Sequence, residues 1–286
     1  MYKSCLSNLK NKNIRYFRLR YLKMSKSKKV LNIEKILISK KHNAFCWTIF
    51  KNDFKCENNF KLNQIKKDFK IHYNSKTNVF ILLIPEEKTY INNKVKRNKI
   101  ISLDPGIRTF QTCYSEEECI KIGDNLKETI NKYLIRIDKV NNDKYIKNKQ
   151  RKRIENKCYN KIENLVNDLH WKTINYLTDI SEIILIGNLS TKHIVSNKSN
   201  NNLNKKIKRI GSLMKLYIFK QRLQYKCNIK NVKYKEINEA YTSKTCSNCG
   251  FLNLKLGANK KLKCEICENE IDRDFNGAKN IMLLNY

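Results

Sequence analysis

Four cysteines near the end of the chain, Cys246, Cys249, Cys264 and Cys267, fall in the pattern C-x2-C-x14-C-x2-C, and no other feature restricts the fold as sharply. Two residues between the thiols of each pair is the spacing of a knuckle. Two knuckles bring four thiolates around one tetrahedral Zn²⁺ at about 2.3 Å each. Gly250 follows the first pair, where the chain has to turn tightly. A closed set of four thiolates leaves no open coordination position, so zinc held there is structural and hydrolyses nothing. Cys5, Cys46, Cys56, Cys113, Cys119, Cys158 and Cys227 lack partner spacing and read as small core or surface residues.

Secreted disulfide scaffolds are also cysteine-rich, but they are short and carry a signal peptide. The opening stretch MYKSCLSNLKNKNIRYFRLRYLKMSKSKK has no apolar h-region, and no run of about 18 apolar residues is present to span a bilayer. The expectation is an intracellular protein with reduced thiols, working in the nucleus or at a site of DNA replication.

Charge points to the partner. Lys and Arg number 60 against 26 Asp and Glu, a formal net charge of +34. A compact fold with that excess repels itself unless an anion offsets it, and nucleic acid is the commonest such anion. AT-rich codons would also fill a chain with Lys, Asn and Ile; charge and zinc motif together favour nucleic acid.

The 286 residues allow one large domain and a small one. Residues 1–26 read as a basic arm. Residues 27–99 form a β-rich module and linker, with strands expected in VLNIEKILIS, AFCWTIFKN, FKIHYNS and NVFILLIPEE, then the charged KTYINNKVKRNK. Residues 100–286 form a second domain. IISLDPGIRTFQTCYS predicts a strand, a turn at Pro105-Gly106 and a hairpin partner, and CIKIG a third strand. From Asn125 to about Thr178 helical spacing takes over, with Leu134, Ile137, Ile154, Ile162, Leu165, Leu169, Ile174 and Leu177 as the apolar stripe. EIILIGN reads as a buried parallel strand. The polar stretch TKHIVSNKSNNNLNK separates it from one helix over KIKRIGSLMKLYIFKQRLQYKC, a fifth strand in NVKYKEINEAY, and a last helix over DFNGAKNIMLLN. This succession is the layout of an α/β RNase H-like mixed sheet flanked by helices, with strands one, four and five parallel in the middle and a zinc ribbon inserted at 242–271.

Parallel strands open their carboxyl ends on one crevice. Asp104 ends the first strand, Gly187 the fourth and Glu239 the fifth, and Asp274 starts the last helix. Three carboxylates from separate elements suit two Mg²⁺ ions about 3.5–4 Å apart, which activate water and stabilise the leaving oxygen in phosphodiester cleavage. Each acid also has a structural alternative. Asp104 precedes Pro-Gly and suits a turn, Asp274 suits an N-cap, and Glu239 suits a surface strand. Asp272 competes with Asp274, and Glu236 with Glu239.

LDPGIRTF (103–110), AYTSKTCSNCG (240–250) and CEICENEIDRDFNGAKN (264–280) together resemble the TnpB proteins of bacterial transposons, and DLHWKTINYL (168–177) is similar to a helix of that family. TnpB resembles the nuclease half of type V CRISPR effectors, and its eukaryotic and giant-virus relatives are called Fanzor. The resemblance covers about residues 27–286. It implies an RNA-guided, Mg²⁺-dependent RuvC endonuclease, with Asp104 as the first catalytic aspartate and Asp274 as the last. Guide RNA and target DNA would be the partners, with 27–87 gripping guide RNA and the basic helices 125–177 and 205–227 lining the channel.

The chain departs from the family in two places. Most bacterial TnpB proteins carry their catalytic glutamate where this chain has Gly187, whereas Fanzor-like relatives carry one just before the YTSKTC segment, where this chain has Glu239. Strands about 4.8 Å apart put that shift within reach of a glutamate side chain. The family also places a helical recognition domain within the N-terminal wedge, which residues 1–26 are too few to supply. A catalytically silent nucleic-acid-binding remnant and a zinc-ribbon DNA-binding regulator are the competing classes.

Overall fold

A computed structural model of the chain describes residues 7–16, 28–39, 41, 42, 44–49, 62–75, 78–87, 98–189, 204–257 and 259–285. The chain divides into two compact units, residues 1–88 and 89–286. Most of the linker KTYINNKVKRNK and of the polar stretch TKHIVSNKSNNNLNK lies outside the described residues.

In the first unit β1 (Lys28–Ile33), β4 (Phe69–Asn74) and β5 (Val79–Leu83) form an antiparallel sheet in the order β1-β4-β5. Ile33, Phe45, Leu62, Ile65 and Phe69 make its core. Three of the expected strands are shorter than expected, NVFILLIPEE keeping Val79–Leu83. VLNIEKILIS breaks after Ile33 into a 3-10 turn over Lys35–Leu37, fastened by the Lys35 amide donating to Asp68 Oδ1 at 2.9 Å. It ends in β2 (Ile38–Ser39), which pairs with β3 (Ala44–Phe45). Among its described residues, 44–49, AFCWTIFKN keeps only those two in a strand, because Cys46 sits at φ 48 and turns the chain away.

The second unit is built on a mixed five-stranded sheet, order β10-β9-β6-β7-β8. Its strands are β6 (Asn98–Pro105), β7 (Gln111–Tyr114), β8 (Cys119–Ile122), β9 (Ser181–Gly187) and β10 (Lys233–Ile237). β6, β9 and β10 run parallel, and β7 and β8 are antiparallel to their neighbours. The parallel trio is the one expected, but β10 lies at the sheet edge. Its residues Lys233, Lys235 and Glu236 are exposed, as an edge strand tolerates.

Helix α1 (Leu126–Asn142) buries Leu126, Ile130, Leu134 and Ile137, and α2 (Asn148–Ile180) buries Cys158, Ile162, Val166, His170, Ile174 and Leu177, each a stripe at helical spacing. Leu165, expected in that stripe, is 37% exposed. The single helix expected over KIKRIGSLMKLYIFKQRLQYKC is two, α3 (Lys205–Leu213) and α4 (Leu216–Lys230), broken where Lys215 turns left-handed at φ 51. His170 explains the break. Its Nε2 meets the freed Met214 carbonyl at 3.0 Å, its Nδ1 accepts from Arg222 at 3.2 Å, and its ring stacks on Phe110. Burial pushes the imidazole down to about 4, so it is neutral in this role. The last helix, α5 (Arg273–Leu283), packs on β6 and β7.

Candidate active site and zinc ribbon

β6 delivers Asp104, and β9 stops beside it at Gly187, which pairs with Ile237 at the end of β10. The Asn188 amide then donates to the Ile237 carbonyl at 2.9 Å. Two residues past β10, Glu239 folds back over the end of β9. Its amide reaches Asn188 Oδ1 at 3.4 Å, and the Leu189 amide donates to its carboxylate. A Cβ added to Gly187 would fall on Glu239 Oε2, closer than real side chains approach, and would lie 3.1 Å from Pro105 Cδ and 3.2 Å from Ile281 Cδ1. The space a side chain at 187 would fill is taken by the carboxylate of Glu239.

α5 brings the third acid. Asp272, not Asp274, is its N-cap: its side chain accepts from the amides of Asp274 at 3.0 Å and Phe275 at 3.3 Å, and pairs with Lys121 at 2.7 Å. Asp274 therefore lies in the first turn with its carboxylate free of capping. One turn on, Gly277 faces Asp104, and a Cβ there would stand 2.6 Å from Asp104 Oδ2. Ser102 on β6 seals the approach by donating to the Ala278 carbonyl at 2.7 Å. The other rival is occupied too, since Glu236 accepts from Lys220 and from the Tyr234 hydroxyl, both at 2.9 Å. Among the described residues neither Asp104, Glu239 nor Asp274 makes an ion pair.

Unpaired acids in one crevice oppose each other's ionisation. Burial, then Glu239 and Asp274, hold the Asp104 carboxyl well above its ordinary value, with Arg273 pulling the other way. Burial pushes Glu239 up to about 7 against the Leu189 amide and Lys220. Glu239 Oε2 is buried with no hydrogen-bond partner. A buried acceptor without a donor among uncompensated hard-oxygen ligands is the donor set that suits a divalent cation.

The ribbon is gathered more tightly. The four Sγ atoms of Cys246, Cys249, Cys264 and Cys267 all lie within 4.8 Å of one another, and among the described residues the three carboxylates do not close into such a set. The Cys246 amide donates to Phe251 at 2.8 Å and the Gly250 amide to Cys246 at 2.9 Å, which closes the first knuckle with Gly250 at φ 79. Glu268 holds the corresponding place in the second knuckle at φ 55. The hairpin β11 (Lys261–Lys263) and β12 (Glu270–Asp272) carries Leu262, buried with Leu256 against the cysteines. This four-cysteine cluster can bind zinc.

Two residues of DFNGAKN act in a way the sequence reading did not assign. Asn276 and Asn280 are buried, and each amide group donates to the carbonyls of both Thr242 and Thr245, at 3.2 and 2.7 Å from Asn276 and 2.7 Å twice from Asn280. Asparagines one helical turn apart after a helix start were the available signal.

Two family models match the chain: one described as "Probable transposase" (OrfB_IS605) over residues 81–198, and one described as "Cas12f1-like, TNB domain" over residues 217–281. TnpB-like protein L79 of Acanthamoeba polyphaga mimivirus is 35% identical over 98% of this chain and 54% of its own length. TnpB-like protein L770 of the same virus is 34% identical over the same shares. The chain thus spans about half the length of the curated relatives it matches. The cryo-EM structure of a Cas12f1-sgRNA-target DNA complex is 18% identical and superposes on 82% of this chain and 49% of that protein with a TM-score of 0.51, a likeness of fold. No helix among the described residues is long and apolar enough to cross a membrane. Along nearly its whole length the chain is thus similar in sequence to TnpB-like proteins, and part of it matches the transposase model, with the mixed sheet and the four-cysteine cluster in place.

Proposed function

We propose that this chain carries the catalytic apparatus of an RNA-guided, Mg²⁺-dependent DNA endonuclease of a transposable element, with Asp104, Glu239 and Asp274 as its metal ligands. The observation that carries this reading is the Glu239 carboxylate over Gly187, with Oε2 buried and unpartnered. A glutamate incidental to function would leave the crevice for water and would not be folded in beside Asp104 at a cost in ionisation.

In this reading Asp104 from β6, Glu239 from the turn after β10 and Asp274 from α5 hold the cations between three elements that cannot shift independently. Bound Mg²⁺ would supply charge stabilisation to the attacking and leaving oxygens of the phosphodiester. Gly277 lets α5 approach Asp104, and Gly187 leaves the place of the second ligand open to Glu239. Zinc held by the four cysteines would be structural. The basic helices α1, α2, α3 and α4 would contact phosphates, and residues 27–87 would grip guide RNA, whose pairing with the target strand supplies sequence choice. Support for RNA guidance is the TnpB-like kinship and the fold shared with a protein solved with guide RNA and target DNA.

The test is cleavage of a DNA library in Mg²⁺ by the protein expressed with its flanking genomic RNA, beside Glu239→Ala and Asp104→Ala. Cleavage by the wild type that both variants lose supports the reading. RNA retained with no cleavage by a folded wild type would make this a silent nucleic-acid-binding protein.

A further inference from the structure

Between Glu239 and the first zinc ligand, Cys246, lie six residues, and they are held at both ends. Thr242 donates through its amide and its hydroxyl to the Glu239 carbonyl, at 3.2 and 2.9 Å. Asn276 and Asn280 grip the Thr242 and Thr245 carbonyls, and Asn276 Oδ1 accepts from the Ser247 amide at 2.9 Å, inside the knuckle. The same helix, α5, carries Asp274. We infer that Asn276 and Asn280 form a clamp through which the zinc ribbon sets the position of Glu239, so that they are positioning residues and zinc occupancy governs divalent-cation affinity at the carboxylates.

Glu239 lies beyond the last ladder bond of β10, so no strand pairing fixes it. Its place depends on Asn188, Leu189 and the loop that follows. The carbonyls of Thr242 and Thr245 each accept from two side-chain amide groups, and both asparagines are buried where water cannot substitute. If either asparagine is lost, the loop gains freedom at the end nearest Glu239, while the four thiol groups keep their own knuckle bonds. If zinc is lost, the Ser247 end of the clamp is released. The clamp rests on the carboxylate site proposed above.

The test is Mn²⁺ titration by electron paramagnetic resonance on the full chain, with zinc content measured alongside, for wild type, Glu239→Gln, Asn280→Ala, Thr242→Val and the double variant Glu239→Gln with Asn280→Ala. Removing groups that support metal ligands lowers affinity about 10-fold or more. Asn280→Ala should therefore weaken Mn²⁺ binding at unchanged zinc content, and should add little once Glu239 is already replaced. Thr242→Val removes one hydroxyl from the same path and should act in the same direction, so the inference stays testable if Asn280→Ala does not fold. Chelating zinc from the wild type should weaken Mn²⁺ binding as well. A Glu239→Gln variant that binds Mn²⁺ as the wild type does would sink the carboxylate site and the clamp with it. Loss in Glu239→Gln with none in Asn280→Ala or Thr242→Val, or losses that simply add in the double variant, would overturn the clamp alone.

Discussion

Gly187→Ala is the smallest change that asks whether Glu239 lies where the structure puts it. The glycine does not occupy the left-handed region, so alanine suits the backbone and would gain about 0.4–1 kcal/mol through the unfolded chain. Against that, the new methyl meets Pro105 Cδ at 3.1 Å and Ile281 Cδ1 at 3.2 Å, an overpacking cost of about 1 kcal/mol, and it collides outright with Glu239 Oε2. The carboxylate is the end of a flexible side chain and will leave, taking a proposed metal ligand with it. A displacement of about 1 Å in such a ligand costs on the order of 100-fold in rate. In a Glu239→Ala background the collision is absent, while the Pro105 and Ile281 contacts and the unfolded-state gain are unchanged. The two backgrounds should therefore differ in the cost of Gly187→Ala by at least about 0.5 kcal/mol, the coupling expected of residues in contact. Urea unfolding of the four proteins measures that difference, and cleavage in Mg²⁺ measures the rate. Equal cost in both backgrounds, together with full cleavage by Gly187→Ala, would refute the placement of Glu239 over Gly187.

Gly187→Glu combined with Glu239→Ala moves the acid to the end of β9 and should recover part of the cleavage that Glu239→Ala loses, whereas Gly187→Glu alone crowds two carboxylates into one space and should melt lower. In metal-free protein Glu239 titrates from about 4.5 unfolded to about 7 folded, so the folded state binds the extra proton and stability falls as pH rises through that window. His170, held down at about 4, has the opposite slope between about 4 and 6.5. The readout is thus the difference between wild type and Glu239→Gln, whose melting temperature should fall less over that window; parallel curves would contradict it. Glu268 at φ 55 is strained where Gly250 is not, so Glu268→Gly should stabilise the zinc-loaded ribbon by about 1 kcal/mol in chemical unfolding. Gly250→Ala should destabilise it by a similar amount, and unchanged midpoints in both would show that the knuckles bend elsewhere.

The zinc ribbon, the β6–β7 hairpin and the parallel strand at β9 were legible because their signals are short in sequence: paired thiols, a turn between apolar runs, a continuous apolar stretch. Places where the reading failed depend on distant groups. The break at Lys215 rests on His170, and the stripe position given to Leu165 depends on which helices surround α2. AFCWTIFKN has the composition of a strand, but among its described residues it finds only a two-residue partner in β2. Nothing in NVKYKEINEAY marks β10 as an edge strand except the charges it leaves exposed.

At the proposed site the sequence narrowed the candidates to pairs, Asp272 or Asp274 and Glu236 or Glu239. The DxNGA pattern and the helix start favour Asp274, but Glu236 and Glu239 stay open because two acids a few residues apart carry the same chemistry. Tertiary structure sets them apart by giving each rival a partner: Asp272 caps α5 and pairs with Lys121, and Glu236 pairs with Lys220. The sequence by itself determined the TnpB-like similarity, the fold class and the four-cysteine cluster, since spacing and local pattern suffice for those. Only the folded chain placed the carboxylate of Glu239 in the space over Gly187, because two residues 52 positions apart in sequence come together solely through the pairing of β9 with β10.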